Sequence, residues 1–345
     1  MATRLLRSPQ YITATQGIVG GTTVKSSKLT ISIEGTIEYT LIKDAVDGVP
    51  TLFEWGELSR DFLDITFNGT YSTQAAFDII LTLNFWDTVN AGGLQVGGNS
   101  SQTNFGLDGY GTFYEAASPA VSAIQFPAIS NYSQAVAGGK TYTVYAPKDT
   151  AVVVPAIVSG TTTYTSSGIN AISVDVPGTL PQTTVNIIRR ECTKYTASLG
   201  YTETSTNGYP VSFINKFGAI QTEWFTLKAV QRIESKKETY NSNTISSTGT
   251  YSINEHNKQN FNVKGTQSIT LNSFYVDESY NNVFTEMLLS EKVWVRFRVP
   301  STNDYTTVPI NITTSSFDYK NSINDRLIQF TFSFDMSFDF INNVR

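Results

Sequence analysis

The stretch IQFTFSFDMSFDF, residues 328–340, decides the fold class of this 345-residue chain. Apolar and polar residues alternate along its whole length. Because successive side chains of a strand point to opposite faces, the alternation predicts one long strand with a single apolar face, buried in its own domain or against a neighbouring subunit. The residues of that face are Ile328, Phe330, Phe332, Phe334, Met336, Phe338 and Phe340.

The same period of two recurs through the rest of the chain. It predicts a strand at residues 77–85 and a strand or hairpin at residues 29–41 with one face on a core. The residues of that core face are Leu29, Ile31, Ile33, Ile37, Tyr39 and Leu41. Residues 141–154 and 161–188 contain shorter runs, which prolines and glycines interrupt. Short strands between regular turn signals are typical of a β-sandwich or barrel, so we expect the N-terminal part of the chain to be of that class.

Helical spacing predicts two helices within this β-rich pattern. Leu58 and Phe62 lie four apart, as on one face of a short helix, and Ile65 and Phe67 then resume the strand period. A second helix is predicted at about residues 278–290 and leads directly into a strand, which indicates α+β packing. Its N-cap and apolar face would be formed by Asp277, Tyr280, Val283, Phe284, Met287 and Leu288.

Prolines and glycines in VPGTLPQTT, residues 176–184, predict a domain boundary. The chain is expected to be mainly β, with a β-sandwich-like region at residues 1–180 and a β-rich domain with the second helix at residues 181–345. A further break in the first region, near residues 115–140, is left open. Residues 92–109 are rich in glycine and asparagine, which predicts a surface loop whose shortening leaves the monomer folded.

Charge and hydropathy exclude several classes of protein. The chain has 24 Lys and Arg against 29 Asp and Glu, a formal net charge of −5. It offers no basic field for a polyanion, so we expect no nucleic-acid sequence recognition. No segment approaches the roughly 20 apolar residues of a membrane helix, and the N-terminus lacks the apolar run of a signal peptide. We therefore expect no membrane insertion, and folding in a cytoplasm.

The residues that metal binding and nucleophilic catalysis need are scarce. His256 is the single histidine and Cys192 the single cysteine. A classical zinc site, an internal disulfide and a histidine-dependent serine triad therefore each lack parts. We interpret His256 as a surface or loop residue and Cys192 as a small, half-buried strand residue.

Carboxylate pairs are the remaining route to catalysis. Asp335 and Asp339 would share a strand face, and Asp61 and Asp64 lie close together at a helix end. We interpret all four as solvated carboxylates, because exposed acids are the common case, although a carboxylate-dependent glycan hydrolase stays a distant alternative. We predict that the protein is not an enzyme and has no catalytic, cofactor-binding or metal-binding residues.

One charged segment is of particular interest. RIESKKETYN, residues 232–241, mixes positive and negative side chains. This mixture predicts an exposed hairpin or edge strand rather than a basic patch.

Several segments resemble structural tail proteins, of the tail-hub or ring type, from tailed phages of Bacteroidota, including crAss-like phages. The resemblance is carried by residues 209–241, 261–295 and 308–345, and at the N-terminal end by RSPQYI, residues 7–12, and FEWGELSRDFLDITFNG, residues 53–69. It implies a virion structural protein of the viral tail, without a catalytic motif.

The resemblance implies a homo-oligomeric ring around the tail axis. The partners would be further copies of the chain and other phage tail proteins, in a virion assembled in the bacterial host cytoplasm. VSFINKFGAIQTEW, residues 211–224, would then be architectural, with a strand ending at Asn215, a turn at residues 216–218 and a second strand from Ile220. The alternative is a receptor- or carbohydrate-binding virion protein, such as a tail fibre or baseplate adhesin, with residues 92–110 as its binding loop.

Overall fold

Strands dominate the computed structural model, which is mainly β and contains several sheets, as the alternating patterns predict. Cys192, Asp277 and parts of the short strands predicted between residues 141 and 188 lie outside the described residues. The described residues are 2–14, 18–19, 22–46, 49–69, 77–97, 99–115, 120–121, 125–126, 131–137, 140–147, 150–153, 162–164, 169–176, 182–189, 208–273, 275–276, 278, 280–298, 305–316, 318–320 and 328–341.

The chain divides into two compact units, Met1–Ser205 with Ser212–Glu223 and Thr206–Val211 with Trp224–Arg345. The elements of the first unit are β1 (Ala2–Leu5), β2 (Tyr11–Ala14), β3 (Ile18–Val19), β4 (Thr22–Thr23), β5 (Ser26–Ile33), β6 (Thr36–Asp44), β7 (Thr51–Glu54), α1 (Gly56–Arg60), β8 (Phe77–Trp86), β9 (Ser100–Leu107), β10 (Ala120–Val121), β11 (Gln125–Phe126), β12 (Asn131–Ala137), β13 (Lys140–Pro147), β14 (Thr150–Val153), β15 (Thr162–Tyr164), β16 (Ile169–Val176) and β17 (Gln182–Arg189).

The chain passes between the two units within β18 (Tyr209–Ile214) and β19 (Ile220–Phe225). The predicted boundary at residue 180 falls between β16 and β17, which both belong to the first unit, and the further break near residues 115–140 stays a prediction. The other elements of the second unit are β20 (Val230–Asn241), β21 (Lys258–Asn272), α2 (Tyr280–Leu288), β22 (Val293–Arg298), β23 (Tyr305–Ile312) and β24 (Thr331–Met336).

Neither helix of the described residues, α1 or α2, is long and apolar enough to cross a membrane.

The core of the first unit joins a six-stranded sheet, in the order β10-β1-β9-β8-β5-β6, to the two-stranded sheet β2-β7. Phe53 on β7 and Trp55 just after it are buried in this core. The alternation predicted for β5 and β8 is confirmed, because every second residue of these strands contributes to the same cluster. These residues are Leu29, Ile31, Ile33, Ile79, Leu81 and Leu83.

A bulge in the β5–β6 hairpin changes the face of one predicted core residue. Ile31 pairs with Tyr39, but the next register pair is Ser32 with Ile37. The extra residue on β6 turns Ile37 to the outer face, where it is exposed. The prediction that Ile37 shares the core face is therefore wrong, because a bulge reverses the phase of the alternation.

The short helix predicted around Leu58 is α1, but it ends at Arg60, before Phe62, and the strand predicted after it is absent. Residues 63–68 have no regular structure, and Ile65 is buried nevertheless. Two apolar residues spaced by two are too few to distinguish a strand from an irregular segment that buries alternate side chains.

The surface loop predicted across residues 92–109 is wrong in its second half. β9 pairs with β8, and its end from Asn104 onward is buried. At Gly106 the ideal Cβ position lies 2.7 Å from Leu6 Cδ1 and 2.8 Å from Ile79 Cδ1. The glycine therefore leaves room for two apolar side chains instead of marking a turn, and shortening this segment would remove a core strand.

Asn215 organises the turn that is predicted after β18. Its Oδ1 accepts the backbone N–H groups of Phe217 at 3.0 Å and Ala219 at 2.9 Å. Gly218 has a φ of +80°, a conformation that glycine adopts without steric cost. β19 follows directly, so the strand–turn–strand arrangement predicted for residues 211–224 is confirmed.

This turn packs against the segment that follows β9. The Tyr110 N–H donates to Lys216 O at 2.8 Å, and a Cβ on Gly109 would lie 2.5 Å from the same oxygen. Lys216 Nζ donates to Glu115 Oε1 at 2.8 Å. That bond holds the pKa of the Glu115 carboxyl below its usual value, and the Thr112 N–H acts in the same direction. The two backbone segments touch directly, which requires glycine at position 109.

The core of the second unit lies between α2 and a sheet whose strands run in the order β22-β23-β24-β21-β20. The helix predicted at about residues 278–290 is α2. Its Phe284 ring lies 4.8 Å from the Phe330 ring and 5.2 Å from the Phe332 ring, measured between centroids. Phe225 at the end of β19 lies 6.2 Å from Phe332. Aromatic packing of one helix on one sheet face therefore holds this unit together.

β24 is shorter than the strand predicted from residues 328–340. Its face is buried at Phe332 and Phe334, but Phe338 and Phe340 are 59% and 62% exposed. Register pairs with β21 and β23 stop where β24 stops. Alternation determines the side to which a residue points, whereas burial also needs a layer above that side.

Candidate interaction surface

β20 and β21 form a hairpin that extends beyond the rest of its sheet. The two strands pair along the full length of β20. β24 pairs with β21 only from Ser268 to Asn272. Residues 235–265, called the ribbon below, therefore consist of two paired strands and the tip that joins them, with no third paired strand in the described part of the chain.

Both faces of the ribbon are open to solvent. All 12 residues of β20 are exposed, which confirms the exposed edge strand predicted for residues 232–241. The strands are joined by side-chain contacts such as the Tyr240 and Phe261 rings, which meet edge to face at 5.6 Å. The Tyr240 hydroxyl also donates to Gln259 Oε1 at 2.7 Å. An isolated hairpin is marginally stable in water, so a partner would stabilise the ribbon further.

One face of β20 carries a row of alternating charges formed by Arg232, Glu234, Lys236 and Glu238. Residues two apart in a strand share a face. The register shifts between Lys236 and Glu238, but β20 advances two residues there while β21 advances three, so the alternation along β20 is kept. Arg232 Nη2 lies 2.7 Å from Glu234 Oε1. Both groups are exposed, so this pair contributes little to stability.

The segment after β24, residues 338–341, places exposed apolar residues, called the apolar patch below, beside the ribbon. The Phe340 N–H donates to Gly265 O at 2.7 Å, and Phe340 Cβ lies 3.3 Å from the ideal Cβ position of Gly265. Phe338 and Ile341 are exposed next to it in sequence. A group of neighbouring exposed apolar side chains is typical of an interaction surface.

The ribbon tip, residues 242–257, contains a shallow pocket. Tyr251, one of the residues that line it, is 71% exposed. The hydroxyls of Ser246, Thr248 and Thr250 lie within 3.2 Å of one another. The pocket is lined by Asn243, Thr244, Ile245, Ser246, Thr250, Tyr251, Ser252 and Glu255.

The histidine and the carboxylates that could act in metal binding or catalysis are exposed and lie on different elements. His256 lies in the ribbon tip, Asp61 and Asp64 follow α1, and Asp335 and Asp339 lie on and just after β24. No group of three or more His, Cys, Asp or Glu side chains within the described ranges is placed to hold a metal ion. The structure therefore brings none of the considered carboxylate pairs into a buried site.

Sequence reasoning missed half of the ribbon and the exposed end of β24. The mixed charges of residues 232–241 predict exposure, but the partner strand has only a weak local signal, the polar run KQNFNVK at residues 258–264.

Neither a protein-family model, nor a curated protein, nor a solved structure matches this chain.

Proposed function

We propose that this protein is a non-enzymatic virion structural protein, a subunit of a homo-oligomeric ring in a bacteriophage tail. The observation that supports the proposal is the ribbon, whose strands and faces are left open by the rest of the unit. Soluble proteins normally cover, shorten or interrupt long edge strands, because exposed N–H and C=O groups pair with other chains. A strand of 12 exposed residues is suited to contact with a neighbouring subunit.

We assign the protein to a phage tail because residues 209–241, 261–295 and 308–345 resemble tail proteins. A ring of identical subunits uses two different surfaces of each subunit, and the rotation between neighbours determines whether it closes. The ribbon and the apolar patch after β24 are candidates for one of these surfaces. Their mixture of paired charges and apolar rings agrees with the composition of interface rims and cores.

The proposal is tested by mass photometry of the purified protein and by cryo-electron microscopy of the intact particle. We expect a discrete closed oligomer in solution and a ring of the same subunit in the tail. A strict monomer that is absent from virions would overturn the proposal, as would release of sugar from a glycan at an enzymatic rate.

Removal of the ribbon is expected to abolish assembly and leave the fold intact. Residues 235–265 would be replaced by Asn-Gly, which joins Glu234 to Thr266, a directly opposite pair. Ile269 and Leu271, which are buried on β21, remain in place. We expect the thermal midpoint to change by only a few degrees and the oligomer to be lost, measured by circular dichroism and mass photometry.

A smaller deletion is the matched control for this prediction. Replacing only the tip, residues 242–257, by Asn-Gly joins the opposite residues Asn241 and Lys258 and keeps both strands. The control should still assemble. Full assembly of the protein without its ribbon would show that the ring contacts lie elsewhere.

A receptor- or carbohydrate-binding virion protein is the second candidate, supported by the pocket in the ribbon tip. An exposed tyrosine ring beside hydroxyl, amide and carboxylate groups matches the stacking and hydrogen-bonding needs of a sugar. If the pocket binds a sugar, Tyr251→Ala should reduce retention on host cells or glycans about fivefold, since a stacking ring contributes on the order of 1 kcal/mol. Unchanged retention, or no retention by the wild type, would remove this candidate.

A further inference from the structure

We infer that two copies of this chain pair edge to edge through β20, antiparallel, about a two-fold axis at Ser235. The partner is a second copy of the same strand. This inference goes beyond the proposed ring, because a two-fold contact uses the same surface on both copies, whereas ring contacts use two different surfaces. The pair would use the outer edge of β20 and leave the two faces of the ribbon and the apolar patch after β24 for ring contacts. It stands or falls independently of the phage setting.

The backbone of β20 is available for such pairing. β20 is the last strand of its sheet, and no described strand pairs with its outer edge. It has 12 residues, contains no proline, and is exposed along its whole length. The unpaired N–H and C=O groups of an edge strand are a template for pairing with another chain. Charges of one sign would repel a second copy, whereas the alternating signs on β20 can be matched by it.

The alternating charges determine the register. In an antiparallel pair centred on Ser235, Arg232 lies opposite Glu238 of the second copy, and Glu234 lies opposite Lys236. The two-fold axis repeats both pairs, so every charge of the row meets its opposite. Directly opposite side chains on one face are the pairs that interact most strongly in a sheet.

The neighbouring registers that keep the same face are unfavourable. Centring the pair on Glu234 would set that residue against itself and Arg232 against Lys236. Centring it on Lys236 would set Lys236 against itself and Glu234 against Glu238. Like charges directly opposite each other destabilise a sheet. A register shifted by one residue would require the second copy to turn its other face to the same side of the sheet. The register at Ser235 is therefore selected by charge.

The remaining positions are compatible with this register. Val230 lies opposite Tyr240 on the charged face, which places two apolar side chains together at each end of the pair. On the other face, Gln231 lies opposite Thr239, and Ile233 lies opposite Lys237, whose methylene stem can cover an apolar neighbour. No like charges meet on either face of β20.

Disulfide trapping tests the register directly. Opposite residues of an antiparallel pair have Cα atoms about 4.5 to 5.5 Å apart, within the range of a disulfide. In a Cys192→Ser background, Ser235→Cys should give a covalent dimer under mild oxidation. Gln231→Cys and Thr239→Cys are controls of similar exposure: neither should cross-link alone, and an equimolar mixture of the two should.

Charge reversal tests the cause of the register. In the Ser235→Cys background, either Arg232→Glu or Glu238→Arg alone would give positions 232 and 238 the same charge. These positions face each other twice across the two-fold axis, so the cross-linked fraction should fall about tenfold. Mixing these two variants restores opposite charges in the heterodimer, and cross-linking should recover. Circular dichroism confirms that both variants are folded.

The outcomes separate this inference from the proposed function. Absence of a Ser235→Cys dimer, equal cross-linking of the Gln231→Cys control, or failure of the mixture to recover would each overturn the pairing. Rings formed by a Ser235→Cys protein that does not cross-link would leave the proposed function and remove the pairing. A cross-linked pair that never forms larger assemblies would support the pairing and remove the ring.

Discussion

Phe332→Asp is expected to prevent the second unit from folding. Phe332 is 0% exposed, and its ring lies 5.2 Å from Phe284 and 6.2 Å from Phe225. Loss of a buried phenylalanine costs about 3 to 5 kcal/mol. Burial of an unpaired carboxylate adds several kcal/mol more. Their sum approaches the whole stability of a typical domain, roughly 5 to 15 kcal/mol.

Near-ultraviolet circular dichroism and urea unfolding measure this effect. Phe338→Asp is the matched control, because Phe338 has the same place in the alternation but is 59% exposed. Its free energy of unfolding should change by no more than about 0.5 kcal/mol. A stably folded Phe332→Asp protein would show that the β24 face is not buried. Equal losses in the two variants would contradict the end of β24 as described.

Gly109→Ala is expected to separate the turn after β18 from the segment after β9. The added Cβ would lie 2.5 Å from Lys216 O, 2.7 Å from Leu5 Cδ2 and 2.9 Å from Phe217 C. Two of these atoms belong to backbone, which cannot move away as a side chain can. Overpacking of this kind costs about 1 to 3 kcal/mol, and we expect it to break the hydrogen bond from the Tyr110 N–H to Lys216 O.

Thermal unfolding and hydrogen exchange at the Tyr110 amide report on this change. Gly92→Ala is the control, because the nearest atom to its Cβ would be Val89 O at an ordinary 3.7 Å. We expect lower stability and faster exchange at Tyr110 in Gly109→Ala and neither effect in Gly92→Ala. Unchanged exchange in Gly109→Ala would mean that the two segments are not in contact.

The candidate surface could be predicted only in part. Mixed charges at residues 232–241 indicate an exposed strand whatever lies beside it, since charged side chains are rarely buried without partners. The strand protrudes as half of a ribbon because β24 pairs with only one end of β21. β24 is far from residues 232–241 in the sequence, so the local pattern does not reveal this. The charge row of β20 is visible in the sequence, but its availability to a second copy follows from the position of β20 at the edge of the sheet.

The sequence by itself determined the mainly β class, the core faces of β5 and β8, helix α2 and the turn at Asn215. Each of these follows from periodicity or turn chemistry within a few residues, where side-chain direction is set by the local backbone. Only the tertiary structure decided that Ile37 points outward, that Gly106 lies inside a core strand, and that Phe338 and Phe340 are exposed. Burial requires a neighbouring layer, and the presence of that layer is a property of the whole fold.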